Sequence, residues 1–144
     1  MKTNRHLFGE RGGELRKDCY DVYARYFVKY VLENRKLGRE IYAVTPQNEP
    51  EYKPKHYPGM AMSSAEQIDF IANHLGPAFS SNRISTKIIA YDHNYDASGV
   101  KYVREVMKNE EASQYISGYG FHTYAAPAHE KMSELKKEAP KKDF

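Results

Sequence analysis

The run Ile41-Tyr42-Ala43-Val44-Thr45-Pro46-Gln47-Asn48-Glu49-Pro50 decides the fold. A short apolar run rich in strand formers stops at a proline, an amide and a carboxylate follow side by side, and a second proline closes the turn. A buried parallel strand delivers its carboxyl end to a loop in this way. In open α/β sheets and in β/α barrels ligands bind at the carboxyl ends of the strands, which makes Asn48 and Glu49 the first candidates for chemistry. A carboxyl there serves as a general acid when burial keeps it protonated.

Upstream of this run, Tyr20, Tyr23, Ala24, Phe27 and Val31 recur at steps of three and four, predicting an amphipathic helix from about Leu15 to Lys36 with Gly38 as its C-terminal cap. Downstream lies a long loop, Glu51 to Met62, holding Tyr52, His56, Tyr57, Pro58 and Gly59. Ser64-Ala65-Glu66-Gln67 reads as a capping box, and Ile68, Ile71 and Leu75 carry a helix as far as Gly76-Pro77. Thr86 to Tyr91 reads as a second strand ending in Asp92-His93-Asn94. Val100, Val103, Val106 and Met107 mark the next helix, continued towards Tyr115. Ser117 to Phe121 reads as a third strand, its glycines allowing close packing or a bulge, and it ends in His122-Thr123-Tyr124. Ala128, Met132, Leu135 and Ala139 give the last helix, and after Pro140 a further strand could begin at Asp143-Phe144.

One helix followed by three β-α units demands a parallel sheet with right-handed crossovers. No glycine-rich phosphate fingerprint follows any strand, which removes support for a nucleotide-binding version. A closed barrel takes eight units and about 250 residues. The expected fold class is therefore α/β, a fragment of a (β/α)8 TIM barrel in which residues 1–144 make one incomplete domain.

Composition narrows the functions. The 144 residues are 40% hydrophobic and 28% charged with a net charge of +3, as in a globular domain, and the excess Lys sits in the tail at Lys136, Lys137, Lys141 and Lys142. Without a basic stripe, nucleic acid is not an expected partner. No apolar run is long enough to cross a membrane, and the amino-terminal residues lead into no signal segment. Cys19 is the single cysteine, so no internal disulfide can form, and it is expected to be a small buried hydrophobe away from any helix start. Thirteen Tyr and no Trp, with Tyr42, Tyr52, Tyr57, Tyr91, Tyr95, Tyr119 and Tyr124 near strand ends, suggest stacking surfaces for a polyhydroxylated ligand, although most of the thirteen are expected to fill half-buried positions.

Val44-Thr45-Pro46-Gln47-Asn48-Glu49-Pro50 resembles the acid/base strand of glycoside hydrolase family 30, the group containing lysosomal glucosylceramidase and β-1,6-glucanases. The resemblance extends in order through Tyr23 to Tyr30, Tyr57-Pro58-Gly59-Met60, Asp69 to Ala72 with His74 to Pro77, Thr86 to Ile89 with Asp92-His93-Asn94, Ala112 to Tyr115, Gly118, and His122-Thr123-Tyr124. It implies strands four to six of the family's barrel and a retaining β-glycoside hydrolase, glucosylceramidase-like in reaction. It also implies Glu49 as general acid/base, Asn48 as the amide on the sugar 2-hydroxyl, and Asp92, His122 and Tyr124 as further substrate-binding residues. The family's nucleophile lies in a strand that would begin where this chain ends, so none is expected in this chain, and the chain is expected to be inactive alone. The resemblance implies a β-glucoside, glucan or glycolipid substrate, no cofactor, and a secreted or lysosome-like location.

Three other readings compete. Asp92, His93 and His122 could bind zinc, but no close ligand spacing supports it, and no metal is expected. A carbohydrate-binding or pseudoenzyme fragment would keep the Tyr surface and Asn48 without chemistry. Finally, two open sheet edges favour self-association.

Overall fold

In the computed structural model, which describes residues 1, 13–54, 57, 59–124 and 129–144, the apolar runs form three parallel strands. These are β1 (Ala43–Val44), β2 (Lys87–Asn94) and β3 (Ile116–His122), hydrogen-bonded in the order β1-β2-β3. Helix α1 (Tyr20–Lys36) precedes β1. Helix α2 (Ser64–Phe70), a π-helical turn (Ile71–Leu75) and α3 (Gly76–Ser81) join β1 to β2, α4 (Ala97–Lys108) and α5 (Glu110–Ser113) join β2 to β3, and α6 (His129–Glu138) follows. Neighbours in sequence are neighbours in the sheet. With right-handed crossovers that order keeps the connecting helices on one face, as a barrel requires and a doubly wound sheet does not.

At the end of the chain Asp143 begins a further parallel rung. Its N–H donates to Ser117 O at 2.9 Å and its carbonyl accepts from Tyr119 N–H at 3.0 Å. Gly118 makes the approach possible, because a Cβ there would lie 2.6 Å from the Asp143 carbonyl oxygen.

The core follows the helical stripes. Tyr20, Ala24, Phe27 and Val31 of α1 are buried, and Gly38, at φ 74°, caps the helix by donating to Arg35 O at 3.0 Å. From α4 come Val100, Val103 and Val106, with Tyr102 donating its hydroxyl to Met62 O at 3.0 Å. Burial holds the Tyr102 phenol well above its ordinary range.

Several expectations need correction. Strand β1 covers only Ala43–Val44; Ile41 and Tyr42 instead use their carbonyls, accepting from Thr86 Oγ1 and Lys87 N–H, each at 2.9 Å. The capping box lies one residue earlier, between Ser63 and Glu66. Helical backbone also continues past Gly76-Pro77 to Ser81. Pro77 lacks an N–H and its ring crowds the carbonyl four residues back, and the wider π turn at Ile71–Leu75 takes up that misfit. The helix after β2 breaks at Asn109, whose side chain caps α5 by accepting from Ala112 N–H at 2.8 Å. Cys19 is half-buried and is the N-cap residue of α1, a helix start that the sequence reading denied it. Tyr91, Tyr95 and Tyr119 belong to the core and offer no stacking surface. His56, Pro58 and Ala128 lie outside the described residues.

Strand β2 contains the feature that positions the site. Ile88 and Ala90 are buried while Lys87 and Ile89 are half-exposed, a period of two that would place residue 91 on the open side and residue 92 in the core. The opposite is found. Tyr91 and Asp92 take left-handed backbone, φ 73° and 65°, and the pairing with β3 shifts between Tyr91 and His93. This bulge buries Tyr91 and turns Asp92 to the mouth of the sheet.

Candidate active site

Each candidate side chain sits at or just beyond the carboxyl end of a strand. Glu49 follows β1 in left-handed backbone, φ 48°, and its N–H donates to the Asp92 carbonyl at 2.8 Å, which ties the loop to the bulge of β2. Tyr23 of α1 anchors the same loop, its hydroxyl donating to Pro46 O at 2.9 Å. Ser98 at the start of α4 donates to Glu51 Oε2 at 3.1 Å. Three elements thus fix the loop that carries Glu49.

His122, at the end of β3, bridges two acids. Its Nδ1 lies 3.1 Å from Glu49 Oε1 and its Nε2 lies 2.9 Å from Asp92 Oδ1, and all three side chains are about one-fifth exposed. Each contact needs one hydrogen between its two heavy atoms, so the three groups hold two protons between them when both bonds are made. Either an imidazolium stands between two carboxylates, or a neutral ring donates one way and accepts from a protonated carboxyl the other way. Thr45 Oγ1 donates to Asp92 Oδ2 at 2.7 Å, so both oxygens of that carboxyl group are held.

The bulge is held from behind. Gln67, fully buried on α2, accepts the Tyr91 N–H at 2.9 Å through Oε1, and Tyr91 donates its hydroxyl to Asn94 O at 2.5 Å. The Tyr91 ring packs on Tyr102 and Phe121, with centroids 5.1 and 5.5 Å away. Gly99 makes room for it: a Cβ at that position would meet the Tyr91 hydroxyl at 2.1 Å. Burial, with help from the charges of Glu51 and Asp96, pushes the Tyr91 phenol far above its usual range and keeps it a donor.

Of the residues expected from sequence, Glu49, Asp92 and His122 form one connected group. Asn48 is exposed and lines a cleft of about 150 Å³ together with Glu49, Tyr52, Tyr57 and Met60. Tyr52 and Tyr57 flank that cleft with ring centroids 6.3 Å apart, and desolvation first, then Tyr52 and Glu49, raise the Tyr57 phenol. Tyr124 is 84% exposed and meets the group through an edge-to-face contact with His122 at 5.5 Å. Sequence reasoning missed Thr45 and Gln67. Thr45 was legible as the hydroxyl nearest the strand end, while nothing in the sequence marks Gln67 beyond a polar residue on an apolar helix face.

A strand-end acid is thus joined through imidazole to a second carboxylate at the carboxyl mouth of sequentially ordered parallel β-α units, the end at which β/α-barrel enzymes carry their active sites. The description "Glycosyl hydrolase family 30 TIM-barrel domain" matches residues 1–143, and the chain belongs to glycoside hydrolase family 30. It is 42% identical over 134 residues to an endo-1,6-β-D-glucanase of Trichoderma harzianum, covering 87% of this chain and 26% of that protein. It is 39% identical over 103 residues to one of Aspergillus fumigatus, covering 72% and 20%. With mouse lysosomal acid glucosylceramidase it shares 28% identity over 144 residues, covering 93% and 27%. Among solved structures, the endo-β1,6-glucanase BT3312 superimposes with a TM-score of 0.85 at 36% identity over 94% of this chain and 30% of its own. SrfJ from Salmonella typhimurium does so at 0.90 and 29% identity over 99% and 32%. The chain spans about a quarter of the length of the curated relatives it matches. Its three parallel strands correspond to a fragment of the family's barrel.

Proposed function

We propose that this chain carries the acid/base half of a retaining β-glycoside hydrolase site, with Glu49 as the proton donor to the departing glycosidic oxygen. The observation that carries the reading is the Glu49–His122–Asp92 bridge at the strand mouth, because it holds a half-buried carboxyl in a fixed direction beside a group that can exchange a proton with it. In this reading Asn48 binds the sugar 2-hydroxyl, Asp92 and His122 reach neighbouring hydroxyls, and Tyr124, with Tyr52 and Tyr57 across the cleft, offers ring faces to the sugar. Retention needs a second carboxylate about 5–5.5 Å away as nucleophile, and none of these residues is assigned to it, so the isolated chain is expected not to turn over.

A β-1,6-linked glucan is the substrate class best supported, since identity is higher to the fungal glucanases, 39% and 42%, than to the mouse glucosylceramidase, 28%. A secreted or lysosome-like location is proposed on the same relatives. No helix among the described residues is long and apolar enough to cross a membrane.

The test grafts this chain into the Trichoderma glucanase in place of the 134-residue stretch that it matches. The graft is expected to hydrolyse β-1,6-glucan, and Glu49→Gln is expected to lower kcat by about 10²–10⁴. Undiminished turnover by the Glu49→Gln graft removes the acid/base assignment. Sugar binding by the isolated chain in calorimetry, with a graft that never turns over, would instead favour a carbohydrate-binding fragment.

A further inference from the structure

We propose that Glu49, His93 and His122 form a zinc site, and that zinc bound there occupies the carboxyl proposed as proton donor. The three side chains come from the ends of three different strands, yet one ligand atom of each lies within 4.8 Å of the other two. Zinc takes imidazole nitrogen at about 2.0–2.1 Å and carboxylate oxygen at about 2.0–2.2 Å, which in a tetrahedron sets neighbouring ligand atoms about 3.3 Å apart. His122 Nδ1 and Glu49 Oε1 already stand 3.1 Å apart.

The surroundings match a metal centre as well. A ligating histidine usually donates its far N–H to a carboxylate, which fixes the tautomer with its lone pair towards the metal. His122 Nε2 lies 2.9 Å from Asp92 Oδ1, and Asp92 is itself held by Thr45 at 2.7 Å. His93 has a buried Nδ1 without a hydrogen-bond partner among the described residues, and its ring lies 6.4 Å, centroid to centroid, from that of His122. Two imidazoles and one carboxylate suit zinc, with a fourth position left for water. Ligands at positions 49, 93 and 122 cannot be recognised by spacing, since only the parallel register of β1, β2 and β3 brings them together.

Once Glu49 ligates a cation it cannot also carry a proton to a leaving group, so zinc would oppose hydrolysis. The site itself stands on ligand geometry and does not depend on the glycosidase reading. Calorimetric titration of the tag-free 144-residue chain with zinc alone is expected to give one ion per chain. His93→Asn and His122→Asn are expected to lower affinity at least tenfold, and Asp92→Asn, which acts through His122, about 10–100-fold. His74→Asn, at a half-buried histidine paired with Asp21 in the helical layer, is expected to leave zinc affinity unchanged. Zinc binding that persists in folded His93→Asn and His122→Asn overturns the site, as does a failure of the folded chain to bind zinc. If those variants do not fold, the cobalt spectrum of the unaltered chain decides. Visible d–d bands without a thiolate charge-transfer band support nitrogen and oxygen ligation, whereas a thiolate band assigns the ion to Cys19 and overturns the site. Zinc binding alongside an active Glu49→Gln graft would retain this site and remove the acid/base assignment alone.

Discussion

Tyr91 and Asp92 carry the least favourable backbone of β2. Left-handed φ at a residue other than glycine costs on the order of 1–3 kcal/mol, and aspartate tolerates it better than a bulky tyrosine does. Core burial of the Tyr91 ring and the Gln67 acceptor on its N–H offset that cost. Gln67→Met keeps the volume and removes the acceptor, leaving a buried N–H unpaired. Urea unfolding is expected to show a loss of about 1–3 kcal/mol, and an unchanged midpoint would mean that the amide finds another partner. At this scale the sequence was partly legible. Glu49, Asp92 and His122 were picked out as candidates because each lies at or just beyond the end of an apolar run, whereas Gln67, Thr45 and the bulge depend on contacts across 24 and 47 residues that no local pattern encodes.

Elements were read best where apolar spacing was long and regular. Helices α1 and α4 bury the residues their stripes pick out, Phe27 and Val31 in one, Val103 and Val106 in the other. The errors fell where a local signal was overruled by packing: Gly76-Pro77 reads as a stop, yet the π turn carries the helix through it. Gly76 stays because the helix lies directly on Tyr115, whose ring a Cβ would meet at 2.3 Å. Gly76→Ala improves intrinsic helix propensity and is nevertheless expected to destabilise by about 1–3 kcal/mol from overpacking. Tyr115→Leu should recover part of the loss, read as non-additivity of the two changes in thermal unfolding. Additive effects would place the strain elsewhere.

At the scale of the whole molecule, buried phenols make alkaline pH a specific weakness. Burial raises both Tyr20 and Tyr23 to about 12 from an ordinary value of 10.0. Between those values the unfolded chain has released protons that the folded chain still holds, so stability is full below pH 10 and falls as pH rises towards 12. The two tyrosines together are expected to remove on the order of 2–4 kcal/mol across that window. Tyr23→Phe should flatten the decline when unfolding is followed by circular dichroism, and an equally steep decline would assign it to other groups. The parallel order of the strands was legible from the alternation of runs alone, but the direction in which the second strand presents its final residues was not. That direction has a bearing on how the segment tolerates insertions and deletions. A descendant of this chain lacking Asp92 would keep every hydrophobic residue of the strand and restore its regular pleat, and it would lose the acid that faces His122 Nε2.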